Sequence, residues 1–301
     1  MKNRNKPVLE LSNVTKYYGK SKGVEHVSFN VEGGTVFGFL GPNGAGKTTT
    51  INMLVDLLRP TTGTIRIFGL DSVHGSVAIG RRIGFLAGDM ALDRALTGWQ
   101  QLEYLGNLHG NFDKAYVREL AKRLDCRLDL KVKTLSRGNK QKVGLIAALM
   151  HKPEMLILDE PTSGLDPLIQ AEFNTIVLEY KKAGKTVFIS SHMLSEVQEI
   201  CDKVTFIREG RIIETKAMES LASELPKMFM VQGEAKGLSA SLQKLKGVSL
   251  LAAADGRLRG SYEGDINELV RVIAGFKVEN FSVQDADLET AFMKYYEAKD
   301  V

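Results

Sequence analysis

Short apolar runs bounded by turn-forming residues recur along the first two-thirds of the chain. Val36-Phe37-Gly38-Phe39-Leu40, Met155-Leu156-Ile157-Leu158 and Thr186-Val187-Phe188-Ile189 each read as a buried strand, apolar on both faces. Between them the period lengthens. Residues 47–58 place Ile51, Leu54, Val55 and Leu58 on one face of a helix, and residues 167–182 read as a helix opened by Pro167 in its first turn. Strands alternating with helices predict a parallel sheet covered by helices. Two stretches depart from this rhythm. Residues 8–18, 24–31 and 64–68 alternate as antiparallel β segments. Residues 97–150 are mostly helical, in three pieces at 97–108, 113–125 and 138–150, with Thr97 and Asp113 as N-caps. Trp99, Tyr104 and Leu108 are expected to pack there.

After Lys216 the pattern changes again. It predicts a strand at 228–232, a helix at 239–245, strands at 248–253 and 257–262, a helix at 265–276, a strand at 278–283 and a last helix at 288–297. Asp255-Gly256 is a hairpin signal between the middle strands. The order β-α-β-β-α-β is that of a small α+β, ferredoxin-like domain. The fold class is therefore α/β for residues 1–220, with a helical subdomain at about 89–150, followed by a second domain at 227–301.

A chain of 301 residues fits two domains, and a hydrophobic fraction of 44% is enough to build their cores. No run of about 18 apolar residues is present, so no segment reads as a membrane span. The first seven residues are polar and lysine-rich, without the apolar stretch of a secretory signal, which predicts an intracellular location. Cys126 and Cys201 are isolated and read as small buried hydrophobes. A net charge of +4 is small for this length, and no basic run is interleaved with aromatics, so nucleic acid is not expected as a partner.

The chemistry lies between the strands. Gly41-Pro42-Asn43-Gly44-Ala45-Gly46-Lys47-Thr48 follows a strand and opens a helix, as the pattern G-x-x-x-x-G-K-[ST] requires. Glycines let backbone N–H groups converge on an anion, and the helix N-terminus adds partial positive charge. Asn43, Gly44, Gly46, Lys47, Thr48 and Thr49 are the expected ATP-binding residues. Lys47 is placed for the β- and γ-phosphates, and the Thr48 hydroxyl for Mg²⁺. The apolar run 155–158 ends in Asp159-Glu160, at the sheet edge where ligands bind. Asp159 is the second expected Mg²⁺ ligand, and Glu160 the base for an attacking water.

With these residues the chain resembles the ATP-binding subunit of ABC transporters over about its first 215 residues. Leu135-Ser136-Arg137-Gly138-Asn139 resembles the family signature L-S-G-G-Q. Ser163-Gly164-Leu165-Asp166 resembles the D-loop, Ser190-Ser191-His192 the switch histidine, and Tyr18 the aromatic that stacks on adenine, with Tyr17 beside it as an alternative. The resemblance implies a dimer of two copies around two ATP molecules, each held by the phosphate loop of one copy and by Ser136, Gly138 and Asp166 of the other. It implies His192 as a catalytic partner of Glu160 and integral membrane permease subunits as partners, at the cytoplasmic face of the membrane. The single ATPase domain, the degenerate signature and the added C-terminal domain together resemble the ATP-binding subunits of ABC-2-type exporters. The alternative is a soluble ABC ATPase with a mechanical role in translation or DNA repair, but the second ATPase half, coiled-coil arms and zinc cysteines of such relatives are missing. His26, His74, His109 and His151 carry no functional expectation.

Two departures from the family pattern stand out. Arg137 replaces a glycine and Asn139 a glutamine in the signature. Downstream of Ile83-Gly84-Phe85-Leu86, where the family reaches a glutamine, the chain reads Ala87-Gly88-Asp89. Gly88 has no side chain to offer a metal, and Asp89 is the candidate substitute.

Overall fold

The computed structural model describes residues 7–110, 112–223, 226–233, 237–254 and 257–285. Backbone contacts divide the chain into two units, Met1–Met218 and Glu219–Val301.

The first unit opens with two long strands, β1 (Pro7–Tyr18) and β2 (Ser21–Glu32), followed by β3 (Val36–Leu40), α1 (Lys47–Leu54), β4 (Thr62–Ile67), β5 (Leu70–Asp71), α2 (Ser76–Gly80) and β6 (Ile83–Leu86). Three helices come next, α3 (Gly98–Leu108), α4 (Lys114–Arg123) and α5 (Arg137–Leu149). β7 (Met155–Asp159), α6 (Pro167–Lys182), β8 (Thr186–Ser191), β9 (Lys203–Arg208) and β10 (Arg211–Ala217) complete it. β6, β7, β8, β3 and β9 form a parallel sheet in that order, with β10 antiparallel at its edge. β2, β1, β4 and β5 form a separate antiparallel sheet.

Each residue of β3, β7 and β8 is buried, as befits strands covered on both faces. One apolar cluster joins the two sheets and α1, whose Ile51, Met53 and Leu54 are fully buried within it. At its centre Phe29 of β2 stacks on Phe37 of β3, with ring centroids 5.4 Å apart, and Phe188 of β8 lies 5.9 Å from Phe37. Burial of each such ring contributes about 2–3 kcal/mol.

The helices begin where their capping residues say they should. Thr97 forms a capping box with Gln100, Asp113 accepts the N–H of Tyr116, and Asp166 accepts that of Ile169 ahead of Pro167. Three expectations are corrected. The helix opened by Lys47 ends at Leu54 rather than Leu58, because Asp56 takes a left-handed backbone conformation (φ 56°) that breaks the helical ladder. The β4 strand stops at Ile67, since Phe68 is also left-handed. Tyr104 and Leu108 do not pack but stand largely exposed on α3, whereas Trp99 is half-buried edge-on to Phe112. Cys201 is buried and Cys126 partly so. Burial pushes both thiols up, that of Cys126 to about 12.

The chain passes from the first unit to the second within α7 (Met218–Ser223). The second unit contains β11 (Lys227–Gly233), α8 (Leu238–Gln243), β12 (Val248–Ala254), β13 (Arg257–Tyr262), α9 (Ile266–Ala274) and β14 (Val278–Asp285). Its antiparallel sheet has the order β12-β13-β11-β14, the ferredoxin-like arrangement. Its own core gathers Phe229, Val231, Leu258 and Tyr262 of the sheet with Leu238, Leu242, Leu269 and Ile273 of the two helices. The Asp255-Gly256 turn and the expected helix at 288–297 lie outside the described residues.

Candidate functional site

β3 delivers the chain into the glycine loop at the end of the parallel sheet. The Gly41 N–H donates to the carbonyl of Ser191 (3.2 Å), which ties the loop to the end of β8. Gly46 precedes α1 at φ 106°, and a Cβ there would lie 2.5 Å from Val24 Cγ1, so both the backbone angle and the space require glycine. α1 starts without a side-chain cap, which leaves its first N–H groups for a ligand. Lys47 is the first residue of that helix and is only 6% exposed. Its ammonium donates to the carbonyls of Gly41 (2.6 Å) and Pro42 (3.3 Å) and lies 3.2 Å from Glu160 Oε1. A charge this buried requires partners, and here it has an opposite charge and two carbonyls.

The carboxylates come from the end of β7. Asp159 is 1% exposed, with both oxygens satisfied: Oδ2 accepts from the Thr48 hydroxyl (2.8 Å) and Oδ1 from the hydroxyl of Ser190. Asp159 and Ser190 are opposite each other in the β7–β8 ladder, so register alone brings them together. The Ser190 oxygen also accepts the N–H of Glu160 (3.0 Å). Glu160 sits in the left-handed region at φ 49°, which turns the chain sharply after the strand. Its Oε2 meets His192 Nδ1 at 2.7 Å, while Oε1, next to Lys47, is buried without an aligned hydrogen bond. Ser191 holds Glu196, whose carboxylate lies within 4.8 Å of the ligand atoms of Glu160 and His192.

A cavity of about 330 Å³ opens over this group. Tyr18, Lys22, Gly23, Asn43, Gly44, Gly46, Lys47, Thr48, Thr49 and Glu160 line it. The two tyrosines left open by the sequence are separated here. The Tyr18 ring borders the cavity and is half exposed, with its hydroxyl 3.5 Å from Thr49 Oγ1. Tyr17 instead donates to Glu25 (2.7 Å) and does not line the cavity. An aromatic face at one end and a cationic glycine loop at the other suit a ligand with a flat ring and a polyphosphate tail. The oxygens of Thr48 and Asp159 are hard donors, the type that Mg²⁺ takes.

Ser136, Gly138 and Asp166 do not line this cavity. Ser136 is exposed and caps α5 by accepting the N–H of Asn139 (3.2 Å). Asn139, at the place of the family's glutamine, is engaged with the backbone of Arg127 through both ends of its amide. Gly88 lies against Asp159: a Cβ on Gly88 would be 3.1 Å from Asp159 Oδ2. Asp89, the next residue, is exposed.

Sequence reasoning missed Ser190, Gln141 and Glu196. The amide of Gln141 donates to the carbonyls of Glu160 and Pro161 (3.1 Å each). Ser190 had a signal, since a hydroxyl at a strand end beside a buried carboxylate is its natural donor. Gln141 stood in the Lys140-Gln141-Lys142 run after the signature but without a role, and Glu196 had no signal, because tertiary contact alone gives it a place.

Residues 24–163 match the family described as ABC transporter. The chain is 34% identical over 296 residues to the bacitracin transport ATP-binding protein BcrA of Bacillus licheniformis, covering 95% of this chain and 96% of that one. It is 35% identical over 292 residues to the daunorubicin resistance ATP-binding protein DrrA3 of Streptomyces coeruleorubidus, covering 92% of each. Among solved structures, the ATP binding subunit of an ABC transporter superposes with a TM-score of 0.65 and 29% identity, over 71% of this chain and 91% of that one.

Proposed function

The chain belongs to the ATP-binding subunits of ABC transporters, binding and hydrolysing ATP to power transport with membrane partners, and on that premise we propose that two copies sandwich two ATP molecules and drive export through separate permease subunits at the cytoplasmic face. Among the described residues no helix is long and apolar enough to cross a membrane. The two relatives aligned over nearly their whole length bear names of antibiotic transport and resistance. That likeness supports export as the direction and favours transport over a mechanical role in translation or DNA repair. In this reading residues 1–220 are the ATPase and residues 227–301 an accessory domain.

The roles follow from the contacts. Tyr18 stacks on adenine, while Asn43, Gly44, Gly46 and Thr49 shape the phosphate cradle. Lys47 exchanges its bond to Glu160 for the β- and γ-phosphates, which frees the carboxylate. Thr48 and Asp159 would hold Mg²⁺, which when bound neutralises charge on the phosphate oxygens. Glu160 orients the attacking water and takes its proton as the water oxygen bonds to the γ-phosphorus and the bond to ADP breaks. His192 keeps Glu160 aimed by the bond seen at Nδ1. Ser136, the Gly138 N–H and Asp166 serve the nucleotide of the other copy. Asp89, next to Gly88, would offer the Mg²⁺ site a further oxygen in place of the family's glutamine.

The observation that carries this reading is the convergence of Lys47 and Thr48 at the start of α1, Asp159 and Glu160 at the end of β7 and His192 after β8, with Lys47 against Glu160, Thr48 bonded to Asp159 and His192 bonded to Glu160. Glu160→Gln tests it. The variant should bind ATP, hydrolyse it about 10²–10⁴-fold more slowly, and elute as a dimer in gel filtration with Mg-ATP. Wild-type turnover would remove Glu160 from the role of base.

A further inference from the structure

We propose that Arg137 is a positioning residue: by holding Ser163 it fastens the signature turn to the turn that follows the catalytic carboxylate in the same chain. The proposal rests on the reading that Ser136 and Gly138 serve the partner copy's nucleotide, and it concerns a residue where this chain departs from the family pattern.

Arg137 is the first residue of α5 and its side chain is not free in solvent. Its Nη2 donates to Ser163 Oγ at 3.0 Å. Its aliphatic stem passes over Gly164, where a Cβ would meet Arg137 Cγ at 3.7 Å and Cδ at 3.8 Å. Gly164 takes φ 76°, so the turn it makes favours glycine, and the arginine stem runs alongside it at the exposed surface. The neighbouring backbones press together as well. A Cβ on Gly138 would lie 2.4 Å from the carbonyl oxygen of Gly164, so this second signature position admits no side chain. One turn further on, Gln141 holds the carbonyls of Glu160 and Pro161.

Residues 137, 138 and 141 share one face of α5, because positions three and four apart on a helix are neighbours. Their targets run in order along residues 160–164, so the helix grips this segment at both ends: Gln141 at the backbone carbonyls of Glu160 and Pro161, and Arg137 at the D-loop turn. The segment itself is a compact turn, with the Ser163 N–H bonded to the Glu160 carbonyl (3.2 Å) and the Leu165 N–H to that of Thr162 (3.0 Å). A shift of the signature turn therefore pulls directly on the backbone that sets Glu160. With glycine at 137 the far end of the grip is absent and Gln141 acts alone. In this chain the state of the surface offered to the partner's nucleotide is mechanically joined to the carboxylate of its own site.

The test is steady-state ATP hydrolysis by the full-length chain carrying Arg137→Gly, Ser163→Ala, both together, or Ser163→Thr. Each of the first two should lower kcat about fivefold, the scale of one ordinary solvent-exposed hydrogen bond, with KM for ATP and the melting temperature unchanged. The double variant should be no slower than either single one, and Ser163→Thr, which keeps the hydroxyl, should retain wild-type kcat. A merely structural role would not give this non-additive loss in kcat alone. Wild-type turnover in Arg137→Gly overturns the proposal. So does a loss in Arg137→Gly that Ser163→Ala does not share, since the guanidinium would then act on nucleotide or partner directly. Additive losses overturn it too. Ser136→Ala, measured alongside, separates the two levels: wild-type turnover there defeats the partner-site reading itself, whereas a crippled Ser136→Ala beside an unaffected Arg137→Gly defeats only the latch.

Discussion

The phosphate loop and the signature turn both sit at the start of a helix, yet their surroundings are opposite. Lys47 at the start of α1 is 6% exposed and already paired with a carboxylate and two carbonyls of its own chain. Ser136 at the start of α5 is exposed, and its hydroxyl does no more than cap its own helix. Beside Lys47, Asp159 and Glu160 are anchored by the β7–β8 register through Ser190. Around Ser136 the contacts lead away from the turn, to Ser163 and to the backbone of Arg127. The first region gathers the phosphate-binding and hydrolytic groups of one chain, and in the proposed reading the second serves the nucleotide of another copy. A buried ion pair is costly to break from one side only. In the proposed reading the loop exchanges partners when nucleotide arrives, while the signature turn gains its bonds from another copy.

This contrast orders the expected effects. Lys47→Ala should be the most severe. It removes the charge that meets the most anionic part of ATP and leaves Glu160 buried beside a gap, so nucleotide affinity measured by calorimetry should fall at least about 100-fold. Normal affinity in that variant would mean that the complete half of the site is wrongly assigned. Glu160→Gln should leave binding intact and suppress turnover, as stated above, which separates charge recognition from chemistry within the same half. Asp89→Ala should be milder. Mg²⁺-dependent hydrolysis, or its stimulation by the membrane partner, should drop a few-fold, about the scale of one solvent-mediated contact, while ATP binding through Lys47 persists. Unchanged metal dependence and stimulation would make Asp89 a surface residue. Smallest of all should be the effect of ending the chain after Leu225. Each unit has its own core, so the truncated ATPase should keep nucleotide binding by fluorescence titration. A truncated chain that fails to fold would place the boundary wrongly.

Much of the complete half was legible in the sequence because strand ends and a glycine loop are local signals. Five buried residues in a row, then glycines, then Lys47 fix where the loop lies, and the run into Asp159 fixes where the carboxylate faces. What remained hidden depends on contact between distant segments. Nothing in the residues near Gln141 says that its amide reaches the carbonyl of Glu160, and Glu196 gains meaning only when Ser191 turns toward it. The same limit hid the difference between Tyr17 and Tyr18: Glu25 on the neighbouring strand β2 takes the Tyr17 hydroxyl, whereas Tyr18 lines the cavity. Periodicity misled at α3, where Tyr104 and Leu108 keep the apolar spacing of a packed face but remain exposed. It overran α1 because the left-handed turn at Asp56 leaves no signature in the hydrophobic pattern. The departure at Gly88 was visible in the sequence, but its consequence was not. Gly88 lies against Asp159, and Asp89 beside it is exposed.

Complementation between two inactive variants tests most directly whether the two halves of a working site come from different copies. A Lys47→Ala chain keeps an intact signature turn, and a Ser136→Ala chain keeps an intact phosphate loop. Each alone should hydrolyse ATP poorly. In a mixed dimer the loop of the second meets the signature of the first, and one complete site is restored. Equimolar mixing should therefore give Mg-ATP hydrolysis well above the sum of the two separate preparations, rising with the fraction of mixed dimer. A mixture that hydrolyses ATP no faster than that sum, with mixed dimers shown to form, would contradict the account, because each site would then be built within a single chain.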